Sequence, residues 1–467
     1  MKRDSLVVGI VGLFVFTMAF ATTWYVHPDS MLNSIKTALY CCAANDTVLV
    51  GPGIYNENIV WPITQGIDLV SELGRDTTII DGDSAGSVIV FETATDSTTV
   101  IKGFTIQHGY SSEDGGGIYV NYYLASPMII DNSIVGNHAY QDGGGIGCVY
   151  GRPLIIGNTI SNNTAGHDGG GISCWKSEPT IVENVVSGNT AAHYGGGMNL
   201  FISLPVVTSN TISDNHALCG GGIFHSSGGG ISVFTGNTIT GNTATAYGGG
   251  IYCYEFSQAY ITLNTITGNS AQKGGGIGCF WSYPIITSNT IIANNAVEGG
   301  GIDCDNSDPL ITGNTIAANC STGICFKNGS VPLINYNNII DNAGYGLCNI
   351  DTSIMVSAEY NWWGHATGPY HANFNPGGLG DSVSDHVDFD PWLTAPVGIG
   401  EEPITKPVTE YENLSATIVS GPLRLPEGKK YRVYDIMGRV VEPSMITRGI
   451  YFIEIDEKIV QKVVKIR

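Results

Sequence analysis

Positive charge is scarce in this chain. Lys and Arg number 20 among 467 residues, against 41 Asp and Glu, for a net charge of −21. Eleven of the 20 lie beyond residue 400 and two within the first three positions, leaving seven across residues 23–400 against 30 carboxylates, a local charge near −23. Such a surface repels nucleic acid and anionic membrane and suits cations, neutral glycans or basic partners. Nucleic acid is therefore excluded as a partner. Long apolar runs are absent after the first 20 residues, so no transmembrane helix is expected beyond them. Helical periodicity is missing and leucine is scarce, which argues against a leucine-rich repeat. No Cys-x-x-Cys occurs, so the 11 cysteines do not read as zinc ligands.

What the chain has instead is glycine, 63 residues of it. Gly115, Gly143, Gly169, Gly195, Gly220, Gly248, Gly274 and Gly299 each open a Gly-Gly-Gly, at steps of 25 to 28 residues. Asparagine pairs run in phase, five residues apart, from Asn132/Asn137 and Asn158/Asn163 to Asn314/Asn319 and Asn337/Asn342. A period in this range means stacked supersecondary units. In a unit such as 153–175, short β-branched runs alternate with Asn and Gly turn signals, which reads as three short strands per coil. Coils of triangular section would then stack in parallel ~4.8 Å apart. One inward ladder is expected at Ile118, Ile146, Ile172, Met198, Ile223, Ile251, Ile277 and Ile302, and a second along Ile134, Ile160, Val186 and Ile212 to Ile316. The second Asn of each pair is expected to tolerate the left-handed conformation and to bond its amide to the next coil.

Cys148, Cys174, Cys253, Cys279 and Cys304 each fall two residues after the Ile of Gly-Gly-Gly-Ile, in a column that elsewhere holds Val120, Leu200 and His225. They read as buried small hydrophobes, because side chains stacked in register run parallel and do not point at one another. Cys41, Cys42, Cys219, Cys320, Cys325 and Cys348 lie outside this column, and their state stays open.

The repeat resembles the right-handed parallel β-helix of pectate lyase-like proteins. Trp24–Pro28, Ser34–Leu39 and Asp46–Glu57 are similar to that family's opening segment, with a short capping helix within residues 31–44. Ile101–Ile106 looks like its first full rung, and Asn361–Pro369 with Asp390–Trp392 like its closing segment. The resemblance covers residues 22–395 and implies an all-β fold of about ten coils; it does not choose among lyases, hydrolases and non-enzymes. The Gly-Gly-Gly-Ile units also resemble repeats of chlamydial-type polymorphic outer-membrane proteins. Those end in a large barrel for which this chain has no room.

The two ends carry addresses. Lys2 and Arg3, an apolar run from Leu6 to Phe20 and the small-residue site Ala19-Phe20-Ala21 read as a secretory signal over residues 1–21. A linker over 396–407 precedes alternating strands in 408–467, expected to form a small β-sandwich. This segment resembles the sorting domain of type IX secretion through Asp435, Gly438 and Arg439, then Gly449 and Tyr451, then Lys462 and Lys465. That resemblance implies the type IX machinery as a partner, and secretion or display on the outer surface of a Gram-negative bacterium.

If the Ile of Gly-Gly-Gly-Ile points inward, the next residue and the one after Cys point outward. One outward column then runs through Tyr119, Gly147, Ser173, Asn199, Phe224, Tyr252, Gly278 and Asp303. The other holds Val149, Trp175, Phe201, Ser226, Tyr254, Phe280 and Asp305. Rows of exposed rings suit the apolar faces of sugars, so Trp175, Phe201, Tyr254, Phe280 and Trp281 are candidate contacts for a polysaccharide or cell-envelope glycan. Asp303 and Asp305, with Glu298 close by, form the candidate acid and base of a glycoside hydrolase, or equally a Ca²⁺ site of the kind lyase reactions on uronates require. A lyase would need a basic proton acceptor, for which Arg152, Lys176, Lys273 and Lys327 are nearly the only residues in the repeats. Asp114, Asp142 and Asp168 precede Gly-Gly-Gly in consecutive coils and are candidate ligands for Ca²⁺, the one cofactor the sequence suggests. The regularity of the repeat favours a non-catalytic surface protein, glycan-binding or adhesive, over a polysaccharide lyase or glycoside hydrolase. Enzymes of this architecture break their repeat with long loops that build a cleft.

Overall fold

The computed structural model describes residues 21–227 and 229–398, together with the strands 416–419, 431–435, 449–455 and 458–465. The signal segment and the Gly438-Arg439 pair lie outside the described residues, as does most of the linker. Three long parallel sheets of 15, 12 and 12 strands wrap into a solenoid of about 13 turns. The count exceeds the expected ten because turns before the first Gly-Gly-Gly and after the last pair in the same register, from Thr47–Val50 to Val387–Asp388. A fourth, six-stranded ladder of short strands runs from Tyr110–Ser111 to Thr243–Tyr247, ahead of the glycine loops.

Register between turns is in step: Ile146 faces Ile172, and Cys148 faces Cys174. Both expected aliphatic ladders are sealed from water, and a third stands on the proline-led sheet through Ile129, Ile155, Ile181, Val207, Phe234, Ile261, Ile286 and Ile311. Each fully buried aliphatic contributes roughly 1.5–3 kcal/mol, so these columns dominate stability. The five column cysteines are free thiols at 0–2% exposure.

Two buried amide ladders pin the corners. Asn132, Asn158, Asn184, Asn210, Asn237, Asn264, Asn289, Asn314, Asn337 and Asn361 pass Nδ2–H to Oδ1 along the axis. Each Oδ1 also accepts the backbone N–H of the preceding Asn, as at 2.9 Å from Asn158 N to Asn184. The second ladder runs from Asn137 to Asn342 and ends on the Asp381 carboxylate, which accepts from Asn342 Nδ2 at 2.8 Å. The left-handed residue is the one before each Asn, not the Asn expected. Before the second Asn, Asn162, Asp214, Ala293 and Ala318 have φ of 51 to 55°, and before the first, Asp131, Glu183, Ser209 and Leu263 have φ of 53 to 56°. The inverted residue makes the corner, and the Asn after it keeps an ordinary φ with its amide buried in the ladder.

At the N-terminal end, the helix Ile35–Cys41 buries Ile35, Ala38 and Leu39 over the open coil. Ser34 caps it, and the Glu57 carboxylate accepts from Ile35 N and Lys36 N at 2.8 and 2.7 Å, a favourable anion at a helix start. Among the described residues, no helix is long and apolar enough to cross a membrane. The C-terminal strands form one sheet in the order 416–419, 458–465, 449–455, 431–435, parallel in the first pairing and antiparallel in the others. Asp435, Gly449, Tyr451, Lys462 and Lys465 lie on these strands.

Candidate functional site

The outward side of the cysteine-bearing sheet is shaped by the glycine loops. The first Gly of each triplet has φ between 56 and 70° and folds back onto the residue after Ile. A Cβ on Gly115 or Gly248 would stand 2.6 Å from the Cβ of Tyr119 or Tyr252, and one on Gly299 would stand 2.7 Å from that of Asp303. That close approach admits only glycine. It also corrects the expectation of two exposed columns. Ser173, Asn199, Phe224, Tyr252 and Asp303 are buried at 1–5% exposure under their own loops. The column after Cys stays at the surface except at the buried Ser226, with Trp175, Phe201, Tyr254 and Phe280 half-buried.

Over the middle turns these two columns merge into one aromatic body. Phe224 touches Tyr252 and Tyr254 at 5.8 and 5.7 Å between ring centres. Tyr254 stacks on Phe280 at 5.7 Å and 9°, and Phe280 on Trp281 at 5.8 Å and 9°. Phe201 joins at 6.5 Å from Phe224. Trp281 is held at φ 48° with 46% of its surface in water. A bulky ring in that conformation is strained, by about 1–2 kcal/mol, and the corner displays it outward. Sequence reasoning missed Tyr194, 4.5 Å from Phe224, and Tyr247, stacked on Tyr252 at 5.6 Å. Both occupy the position directly before Gly-Gly-Gly, where Asp114, Asp142 and Asp168 stand in earlier turns. Trp175 lies apart from this body, edge-on to Tyr150 at 5.0 Å, with Lys176 Nζ 4.4 Å above its ring.

The three aspartates before Gly-Gly-Gly stack in consecutive turns. Asp114 Oδ1 accepts from Asp142 N at 3.1 Å, Asp142 Oδ1 from Asp168 N at 3.0 Å, and Asp168 Oδ1 from Tyr194 N at 3.1 Å. Each carboxylate thus caps the next turn. Burial, then the charges of Asp168 and Asp114, push Asp142 up to about 7, and burial pushes Asp168 up to about 6. Asp114 and Asp142 line a shallow hollow with Ser173 and Trp175 beside the side-chain-free Gly147. Among the described residues, no three His, Cys, Asp or Glu side chains are gathered closely enough to hold a metal ion.

The candidate acids near Phe280 are brought together, but around a cation. Lys327 Nζ lies 2.8 and 2.9 Å from the Asp303 oxygens and 2.8 Å from Glu298 Oε2, which Lys273 also approaches at 3.3 Å. Lys327 lowers Glu298, while its carboxylate partners overcome burial and raise Lys327 itself. Asp305 sits outside the cluster, accepting from Asn328 Nδ2 at 2.7 Å. Arg152 pairs with Glu178 at 2.8 Å. All four basic groups named from sequence are thus charge-paired or laid on a ring.

The description of a right handed beta helix region matches residues 87–266 and 244–361, together more than half of the chain. The chain belongs to the right-handed β-helix family. No curated protein matches it. The matched span of this β-helix contains both Asn ladders from Asn132 to Asn361, all eight glycine triplets and the whole aromatic body. Residues 22–86, with the capping helix, lie before it.

Proposed function

We propose that this β-helix protein is a non-catalytic carbohydrate-binding or adhesive protein of the cell exterior, and that the Tyr254–Phe280–Trp281 stack is its contact. The carrying observation is that stack: Tyr254 on one turn, Phe280 and Trp281 on the next, with Trp281 held half in water at a strained φ. A ring half in water, backed by two stacked rings, suits the apolar face of a sugar. A local charge near −23 across residues 23–400 disfavours polyuronates, so the ligand class is a neutral or amine-bearing polysaccharide. The C-terminal Asp435, Gly449–Tyr451 and Lys462–Lys465 elements support export by type IX secretion in a Gram-negative bacterium. Catalysis finds less support, because Asp303 is buried and occupied by Lys327.

The test is binding of the full chain to neutral and amine-bearing polysaccharides by affinity electrophoresis. Trp281→Gly relieves the left-handed strain while removing the outer ring, so it leaves stability within about 1 kcal/mol of the parent and abolishes the retardation. Phe280→Ala weakens it similarly. Undiminished retardation in both variants rejects the proposal.

A further inference from the structure

Cys325 and Cys348 are register partners on neighbouring turns, in strands Ile324–Lys327 and Leu347–Asn349. They continue the outward column below Asp303, whereas the five core thiols are sealed inside. Cys325 is 3% exposed and Cys348 is half-buried, so this adjacent pair has one member reachable from solvent. The neighbouring Cys325 thiol, working against burial and aided by the nearby Ser384 hydroxyl, holds the Cys348 thiol down at about 7. A reachable sulfur of that acidity attacks disulfides readily. Parallel rungs set Cα atoms about 4.8 Å apart, inside the range a disulfide spans, although the Cβ atoms must draw closer than ideal rungs place them. Among the described residues Leu347–Asn349 is the last strand of its sheet; its outer side meets the segment 382–386 through the Leu347–Val383 bridge, Ser384 N to Leu347 O at 3.1 Å and Asn349 N to Ser384 Oγ at 2.8 Å. Closing that gap moves one strand and this segment, whereas Cys148, Cys174, Cys253, Cys279 and Cys304 sit on rungs paired on both sides.

We infer that Cys325 and Cys348 are a redox-responsive dithiol that closes into a disulfide across the last turn of this sheet. The oxidant is a small-molecule disulfide. The Cys348 thiolate attacks one of its sulfurs, forming a mixed disulfide and releasing one thiol. The Cys325 sulfur, losing its proton, then attacks Cys348 Sγ and expels the second. The two protein thiols lose two electrons and two protons, which appear in two small-molecule thiols. The product ties consecutive turns into a covalent ring at the C-terminal end of the stack, an end where a one-dimensional array can begin to unravel.

Full-length reduced protein is treated with oxidised glutathione, alkylated, cut with trypsin and weighed. Trypsin cuts after Lys327, so the two thiols fall on separate peptides and their bridge appears as one joined species. Cys320 is exposed and shares the peptide of Cys325, so Cys320→Ser must keep the joined species while Cys325→Ser and Cys348→Ser each lose it. Wild-type protein should also gain resistance to proteolysis on oxidation, and lose it on reduction. The inference is overturned if wild-type Cys348 ends as a glutathione adduct or a free thiol, or if the joined species survives in Cys325→Ser.

Discussion

His225 occupies the inward column between Leu200 and Cys253, fully buried. Its ring is kept there by two hydroxyls, Ser257 Oγ at 2.7 Å from Nδ1 and Ser232 Oγ at 2.8 Å from Nε2, with Phe234 edge-on at 5.3 Å. Burial lowers its pKa from 6.5 to about 4. The unfolded chain therefore takes up the proton first, and the contribution is complete above pH 6.5 and lost as pH falls towards 4. Over that window the term is worth up to about 3 kcal/mol. His225→Leu fits the column, as Leu200 does, but strands two buried hydroxyls at a cost of about 2 kcal/mol at pH 8. The gap between variant and parent should close as pH drops from 6.5 and reverse near pH 4, since the parent loses up to about 3 kcal/mol against a gap of about 2. Denaturant titrations showing a constant gap would reject a neutral core histidine.

The decisive element is the glycine loop. Asp142 sits in it between two like charges, and its acidity is weakened from 3.8 to about 7. A carboxyl raised in this way favours the folded state at low pH, and that advantage fades as pH climbs from about 4 through 7. Asp142→Asn keeps the acceptor for Asp168 N and removes the middle charge. Its melting temperature should equal the parent's at pH 4 and exceed it at pH 8; a uniform drop at every pH would contradict the account. The loop also marks where sequence legibility stopped. Ile118 to Ile302 read correctly as an inward column because alternation fixes which face a strand residue takes. That Gly248 would lie on Tyr252, and Gly299 on Asp303, could not be read, since glycine accepts either sign of φ and its identity carries no direction. The same blindness hid Tyr194 and Tyr247, whose rings join the aromatic body only because the loop brings them back. Lys327 stands out in the sequence as one of few cations, but its reach to Glu298 and Asp303 depends on side-chain rotamers across neighbouring turns that no repeat pattern encodes.

At the scale of the whole molecule, each turn touches only its neighbours, so the stack behaves as a one-dimensional array whose stability sums over turns. One repeat can then be excised without breaking the fold if the cut preserves phase. Removing residues 264–288 brings Asn289 to the place of Asn264, a step of 25, directly after Leu263, whose φ of 56° that corner needs. Removing residues 158–183 brings Asn184 to the place of Asn158, a step of 26, after Gly157 at φ 63°. Both shortened chains keep two continuous amide ladders and three aliphatic columns, and both should melt cooperatively with parent-like β-sheet circular dichroism. Their surfaces differ. The first loses Phe280 and Trp281 and sets Tyr254 beside Asp305; the second loses Trp175, Lys176 and Asp168 but keeps the ring stack. Polysaccharide retardation should vanish in the first and persist in the second. If both bind equally, the ligand does not lie on that stack; if both fail together while folded, it spans the face from Trp175 to Trp281.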